Sequence, residues 1–328
     1  MQKDVVFANA RAKAKELSLI SDEKLHRMME CEELSDAMRV LNESGYGKGV
    51  NVDVNNFYDI ISKEESDVIS FVKESAPKSS GIDCFFIRND YHNLKVLFKA
   101  KYTNTNNLDE LLLPDGEIKF SELKEKFDTG KMEFTNKYMF ESFKYITKEF
   151  DSGNATPRII DITIDKYMFE HIKDIISNSK TDVYVKKYFM TLIDMTNLTS
   201  LIRVHKLKLN EQYFNSIFLS GGKLQNSDLL QTDCDITKIQ KLLQNKDYSY
   251  FANAIVDIDD LAKFETCKDE YLLKIFNDNK SDMFSVAPLV NYYLAKLAEI
   301  KTLRIIFVCL KNKVSIDEMK KRMRSLHA

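Results

Sequence analysis

Apolar residues recur along most of this chain at three- and four-residue spacing, in runs long enough for helices and separated by short polar punctuation. The pattern predicts helices over 4–19, 21–42, 56–74, 84–101, 121–126, 136–150, 166–177, 183–206, 211–219, 235–243, 257–262, 269–277, 286–310 and 316–326. Breakers fall at Gly45-Tyr-Gly47-Lys-Gly49, Pro77-Lys-Ser-Ser-Gly81, Pro114-Asp-Gly116, Asp151-Ser-Gly153 with Pro157, and Ser220-Gly221-Gly222. None is long enough to act as a flexible linker, so the units they join are expected to pack closely. Phe86, Leu94, Leu97, Phe98 and Lys101, and again Leu192, Met195, Leu198, Leu201 and Ile202, form stripes expected to face a core.

The stripes belong to an internal repeat. Asp90-Tyr-His-Asn93-Leu94-Lys95-Val-Leu97-Phe98 is echoed 104 residues later by Asp194-Met-Thr-Asn197-Leu198-Thr-Ser-Leu201-Ile202. A third, weaker copy, Glu299-Ile-Lys-Thr302-Leu303-Arg304-Ile-Ile306-Phe307, follows the second by 105 residues. Upstream, Asp165-Lys-Tyr-Met-Phe-Glu and Asp269-Glu-Tyr-Leu-Leu-Lys also stand 104 residues apart, and Asn56-Phe-Tyr-Asp-Ile-Ile precedes the first copy. Downstream, Gly116-Glu-Ile-Lys-Phe-Ser121-Glu-Leu123, Gly222-Lys-Leu-Gln-Asn-Ser227-Asp-Leu229 and Lys313-Val-Ser315-Ile-Asp-Glu-Met319 each read as a loop entering a helix, with the serine expected at the N-cap. Leu19-Ile-Ser21-Asp-Glu-Lys-Leu25 carries the same loop after a helix containing Asn9-Ala-Arg11-Ala-Lys-Ala, so the N-terminal segment resembles the second half of a unit without its first half. The expected architecture is all-α: three similar helical domains, 1–110, 111–215 and 216–328, with the N-terminus closing onto one of them.

Asp90 and Asn93, like Asp194 and Asn197, sit one turn apart on a helix, although both residue types are poor helix formers. The repeated acid is expected to be a partly buried partner for a basic residue or a helix N-terminus of its own domain, with Arg11, Arg203 and Arg304 as candidate cations. The competing reading, acid/base chemistry, requires Asp90, Asp194 and Glu299 to converge on one open cleft.

Composition supports helix and narrows function. The 328 residues include nine Gly, four Pro and no Trp, and 44% are hydrophobic, enough for substantial cores. A net charge of −2 without long like-charge runs excludes a nucleic-acid footprint. Five scattered cysteines, Cys31, Cys84, Cys234, Cys267 and Cys309, lack C-x-x-C spacing, and His26, His92, His171, His205 and His327 lack metal-ligand spacing, so no metal is expected. Neither Gly45–Gly49 nor Gly221-Gly222-Lys223 forms a P-loop, and no nucleophile, Rossmann or kinase signature appears, so neither a cofactor nor catalysis is expected. With no apolar signal core at the N-terminus and nothing near the ~20 apolar residues of a membrane span, the chain is expected to be cytoplasmic and to reach a membrane only through a partner.

Asn89-Asp90-Tyr-His-Asn93-Leu94-Lys95 through Lys101, together with Phe7-Ala-Asn9-Ala-Arg11-Ala-Lys-Ala-Lys-Glu-Leu and Ile160-Asp161-Ile-Thr-Ile-Asp165-Lys-Tyr-Met-Phe, resembles the C subunit of V-type/A-type ATP synthases, related to the eukaryotic d subunit. The likeness covers essentially the whole chain and lies in the order and spacing of short motifs; Thr302 departs from it where Asn is expected in the third copy. The resemblance implies a pseudo-threefold helical funnel, seated on the proteolipid ring and receiving the end of the axle made by the D and F subunits. Such a protein would transmit torque without a nucleotide site. A helical-repeat scaffold unrelated to rotary ATPases is the alternative.

Overall fold

A computed structural model of the chain describes residues 2–47, 57–105, 108, 111–258 and 260–320. Lys48, Gly49, Asn56, His327 and the expected helix beyond 320 lie outside these residues. The regular elements among the described residues are all helices, without a strand, as the sequence predicts. They form α1 (Gln2–Glu16), α2 (Asp22–Met29), α3 (Leu34–Glu43), α4 (Phe57–Ser75), α5 (Asp83–Thr103), α6 (Phe120–Thr129), α7 (Lys137–Asp151), α8 (Pro157–Ser177), α9 (Val183–Lys206), α10 (Glu211–Ile217), α11 (Asn226–Leu230), α12 (Ile236–Asn245), α13 (Ser249–Ala254), α14 (Leu261–Asn277) and α15 (Ala287–Lys311). The chain groups into two compact units, one of Met1–Lys78 with Asp269–Ala328 and one of Ser79–Lys268.

Apart from the short α11 and α13, which have no counterpart among the expected helices, three boundaries depart from the pattern by more than three residues. The run expected as one helix over 21–42 breaks between α2 and α3, where the polar stretch Glu30-Cys-Glu-Glu33 supplies neither apolar spacing nor a side-chain cap. Pro157 does not interrupt α8 but begins it: its fixed φ suits the first turn, and Thr156 Oγ1 accepts from Ile159 N–H at 3.2 Å. The segments expected separately at 257–262 and 269–277 join in α14.

In the first unit α15 is the organising helix. It packs against α4, α1, α2 and α3, and it buries Leu289, Val290, Tyr292, Ile300, Leu303, Ile306 and Phe307, too many positions for one stripe. Phe57 of α4 stacks on Phe307 with ring centroids 5.4 Å apart. Asn9 of α1, fully buried, donates from Nδ2 to the carbonyls of Met283 (3.0 Å) and Ser285 (2.8 Å).

The second unit is built around α8, which packs on α5, α7 and α9. Lys95 and Lys99 of α5 pair with Asp165 (2.5 Å) and Asp161 (2.7 Å) of α8. Phe98 fills the space beneath, with Phe127, Phe143 and Phe150 at 4.8, 5.6 and 6.0 Å. The expected stripes are buried on α5 and α9, apart from Lys101, which is exposed and lays its ammonium over the Phe150 ring.

His171 of α8 lies against two tyrosines from neighbouring helices. The Tyr138 ring stacks on it at 5.3 Å, and its Nδ1 is 3.4 Å from Tyr91 Oη. Burial lowers its pKa from the ordinary 6.5, with Asp174 opposing and Lys137 adding to the shift. The folded unit therefore binds this proton less readily than the unfolded chain, so stability is full above pH 6.5 and falls as the pH drops below it. Thermal melts from pH ~8 to ~5 are expected to show a shallower acid-side decline for His171→Gln than for wild type; identical slopes would refute this role.

Candidate functional site

The repeated acids lie at equivalent places on three long helices, α5, α9 and α15, and all are buried. Asp90 accepts from the N–H groups of Glu117 (Oδ2, 2.8 Å) and Ile118 (Oδ1, 3.2 Å). Asp194 accepts from Lys223 N–H (Oδ2, 2.8 Å) and Leu224 N–H (Oδ1, 2.9 Å). Glu299 accepts from Ile20 N–H at 2.5 Å. Ile118, Leu224 and Ile20 each immediately precede the N-cap of a short helix, Lys119 before α6, Gln225 before α11 and Ser21 before α2. Leu123, Leu229 and Leu25 occupy the N4 position of those helices, so each apolar pair has the spacing of a hydrophobic staple. The acid thus holds the chain where it turns into the helix, taking N–H groups that no helix bond satisfies.

This differs in two respects from the sequence reading. Ser121 and Ser227 fall inside the first helical turn instead of capping it; Lys119 and Gln225 are the caps and make no side-chain cap bond. Arg11, Arg203 and Arg304 are not the acids' partners: Arg11 bonds Ser75 and lies over the Phe71 ring, Arg203 pairs with Glu265, and Arg304 pairs with Glu65.

The asparagine one turn on completes the clamp. Asn93 donates to Leu113 C=O (3.0 Å) and accepts from Leu113 N–H (2.9 Å), and Asn197 does the same with Leu219 (2.7 and 2.9 Å). Each amide therefore pairs with both backbone groups of a non-helical residue five positions before the staple residue. In the third copy the corresponding position is Lys15, inside α1, where the helix already engages the backbone groups, so a side chain as long as asparagine has nothing to clamp and Thr302 replaces it. The glycines have a steric reason of their own. A Cβ on Gly116 would collide with the Asp90 carboxylate, and one on Gly222 with that of Asp194, at separations that real side chains do not show.

The clamps differ in how the carboxylate is compensated. Tyr248 Oη donates to Asp194 at 2.6 Å, and Tyr46 Oη donates to Glu299 at 2.5 Å. Burial raises the Asp194 pKa, with hydrogen bonds from Tyr248, Leu224 and Lys223 pulling it back. Glu299 has a cation in addition: Lys296 Nζ, 3% exposed, stands 2.7 Å from Glu299 and 2.9 Å from Glu64, and 4.4 Å from the Tyr46 ring centroid. Lys296 was legible in the sequence as a charge three residues before Glu299 in a strongly apolar run.

The three acids are closed to solvent, and Glu299 belongs to the other compact unit from Asp90 and Asp194. They do not form the open cleft that acid/base work requires. Among the described residues no three His, Cys, Asp or Glu side chains are placed to hold a metal ion. Gly221-Gly222-Lys223 is part of the Asp194 clamp, which leaves no cradle for phosphate.

A family model described as ATP synthase (C/AC39) subunit matches residues 8–322. The chain belongs to that family. It is similar to the V-type sodium ATPase C subunit of Enterococcus hirae, 24% identical over 97% of this chain and 98% of that protein. It is similar also to the A-type ATP synthase C subunit of Methanocaldococcus jannaschii, 25% identical over 92% of this chain and 81% of the relative, and to that of Haloquadratum walsbyi, 21% identical over 96% of each. No helix among the described residues of this C/AC39 protein is long and apolar enough to cross a membrane.

Proposed function

We propose that the chain is the non-catalytic coupling subunit of a V-type/A-type rotary ATPase, joining the D/F axle to the proteolipid ring on the cytoplasmic face of the membrane. The family match over nearly the full length carries this reading. The three copies of the clamp support it mechanically. Each ties a long core helix to the entry of a short one through charge-assisted hydrogen bonds of a buried carboxylate, which resist bending better than a solvent-exposed loop does. We assign three units, 1–110 with the N-terminal half-copy, 111–215 and 216–328, to a pseudo-threefold funnel, in which each clamp ties one unit to the next and Glu299 ties the third back to the first at Ile20. Torque then passes through backbone joints, and the chain needs neither nucleotide nor metal.

Affinity purification of the tagged chain from its own membranes tests the reading. Proteolipid and the D and F subunits are expected to co-purify with it at constant stoichiometry. Recovery of the folded chain without either side would favour a helical-repeat scaffold instead.

A further inference from the structure

A cleft of about 800 Å³ opens in the Ser79–Lys268 unit between α7, α8 and α10. Its walls include Tyr145, Ile159, Ile162 and Tyr213; two cations, Arg158 and Lys166, and one acid, Glu170, stand along it. Neither cation makes an ion pair among the described residues. Arg158 lies over the Tyr213 ring at 4.4 Å and donates from Nε to Tyr213 Oη at 2.9 Å, while Lys166 reaches only the Ser216 carbonyl at 3.5 Å. Other charges of α8 are neutralised: Asp161 and Asp165 by lysines of α5, and Glu170 by Lys173 and by Ser220 Oγ at 2.5 Å. An apolar floor with two uncompensated cations is therefore a departure from the rest of the helix.

We propose that this cleft seats an apolar-faced helix of a partner protein that carries two acidic side chains about two turns apart. The geometry selects that class. Arg158 and Lys166 are eight residues apart on α8, roughly 12 Å at 1.5 Å per residue, too far for one compact anion to bridge. A helix lying alongside α8 spans the same distance with acids at i and i+7 or i+8, and its aliphatic residues between them would cover Ile159 and Ile162. Stacking on Tyr213 fixes the Arg158 guanidinium and uses only Nε, which leaves both Nη groups for a bidentate carboxylate. That the helix comes from a neighbouring component of the ATPase rests on the coupling function proposed above; the chemistry of the cleft does not.

Photo-crosslinking in cells tests the assignment, with benzoylphenylalanine replacing Tyr145, a 48% exposed wall residue, in the full chain. The expected product joins Tyr145 to one helical segment of an ATPase component with acids seven or eight residues apart. Arg158→Glu with Lys166→Glu is expected to cut the yield about tenfold or more at unchanged melting temperature, whereas Arg158→Lys with Lys166→Arg keeps most of it. No crosslink, a crosslinked segment without such acids, or a yield indifferent to charge reversal would overturn the assignment. A crosslink to an acid-spaced helix of a protein outside the ATPase would uphold the chemistry of the cleft and overturn an ATPase component as its occupant, while failure of the coupling function is read separately from the co-purification.

Discussion

Glu299→Ala is expected to loosen the N-terminal segment from α15 and to cost about 3–5 kcal/mol in that unit, the usual consequence of removing one member of a buried ion pair. The carboxylate takes the Ile20 N–H, the Tyr46 hydroxyl and the Lys296 ammonium together, so its loss strands two neutral donors and weakens the compensation of a cation that is 3% exposed. Hydrogen exchange resolves where the loss falls: protection should drop across α2 and α3 while α5 and α8 keep theirs. Adding Lys296→Met to Glu299→Ala should recover part of the stability, because the buried charge disappears although Ile20 N–H remains unmatched. A double variant as unstable as the single one, or unchanged protection at Ile20, would show that the pair is not what holds the segment.

The second large effect belongs to Asp194. Asp194→Ala leaves the Lys223 and Leu224 N–H groups and the Tyr248 hydroxyl without their acceptor, for a loss on the order of 3–5 kcal/mol. Asp194→Asn keeps one acceptor oxygen and should lose less, ~1–2 kcal/mol. Gly222→Ala should resemble Asp194→Ala although it removes no hydrogen-bonding atom, since its methyl group occupies the place of the carboxylate. Urea titration of the three variants would decide it. If Gly222→Ala proves neutral while Asp194→Ala does not, the close approach is not obligatory.

What the sequence showed of this fold follows from the range over which each signal acts. The long helices α5, α9 and α15 announce themselves by periodicity, and the recurrence of Asp-x-x-Asn at a fixed offset marked the clamps before any partner was known. A helix N-terminus was one of the two expected partners; which one was hidden, because a carboxylate binding backbone N–H groups leaves no complementary side chain to find. Nothing at Glu117, Lys223 or Ile20 advertises a donor, and the candidate arginines serve Ser75, Glu265 and Glu65. Helices α11 and α13, of 5 and 6 residues, are shorter than two turns and carry no period to read. The Arg158 and Lys166 cleft was also invisible, since its floor comes from residues on α7, α8 and α10 that only tertiary packing brings together.

The closure of α15 by Ile20 has a consequence for synthesis on the ribosome. The bond spans 279 residues, so at roughly 5–20 residues per second the first helices wait on the order of 15–60 s for the helix that covers them. Throughout that interval the apolar faces of α1 to α3 lack their native cover while the Ser79–Lys268 unit is being made and can fold around α8. The nascent chain is therefore most exposed to misassociation at its oldest end, and a holdase that shields residues 5–41 until Glu299 emerges would raise the yield of folded protein more than one acting on any later segment.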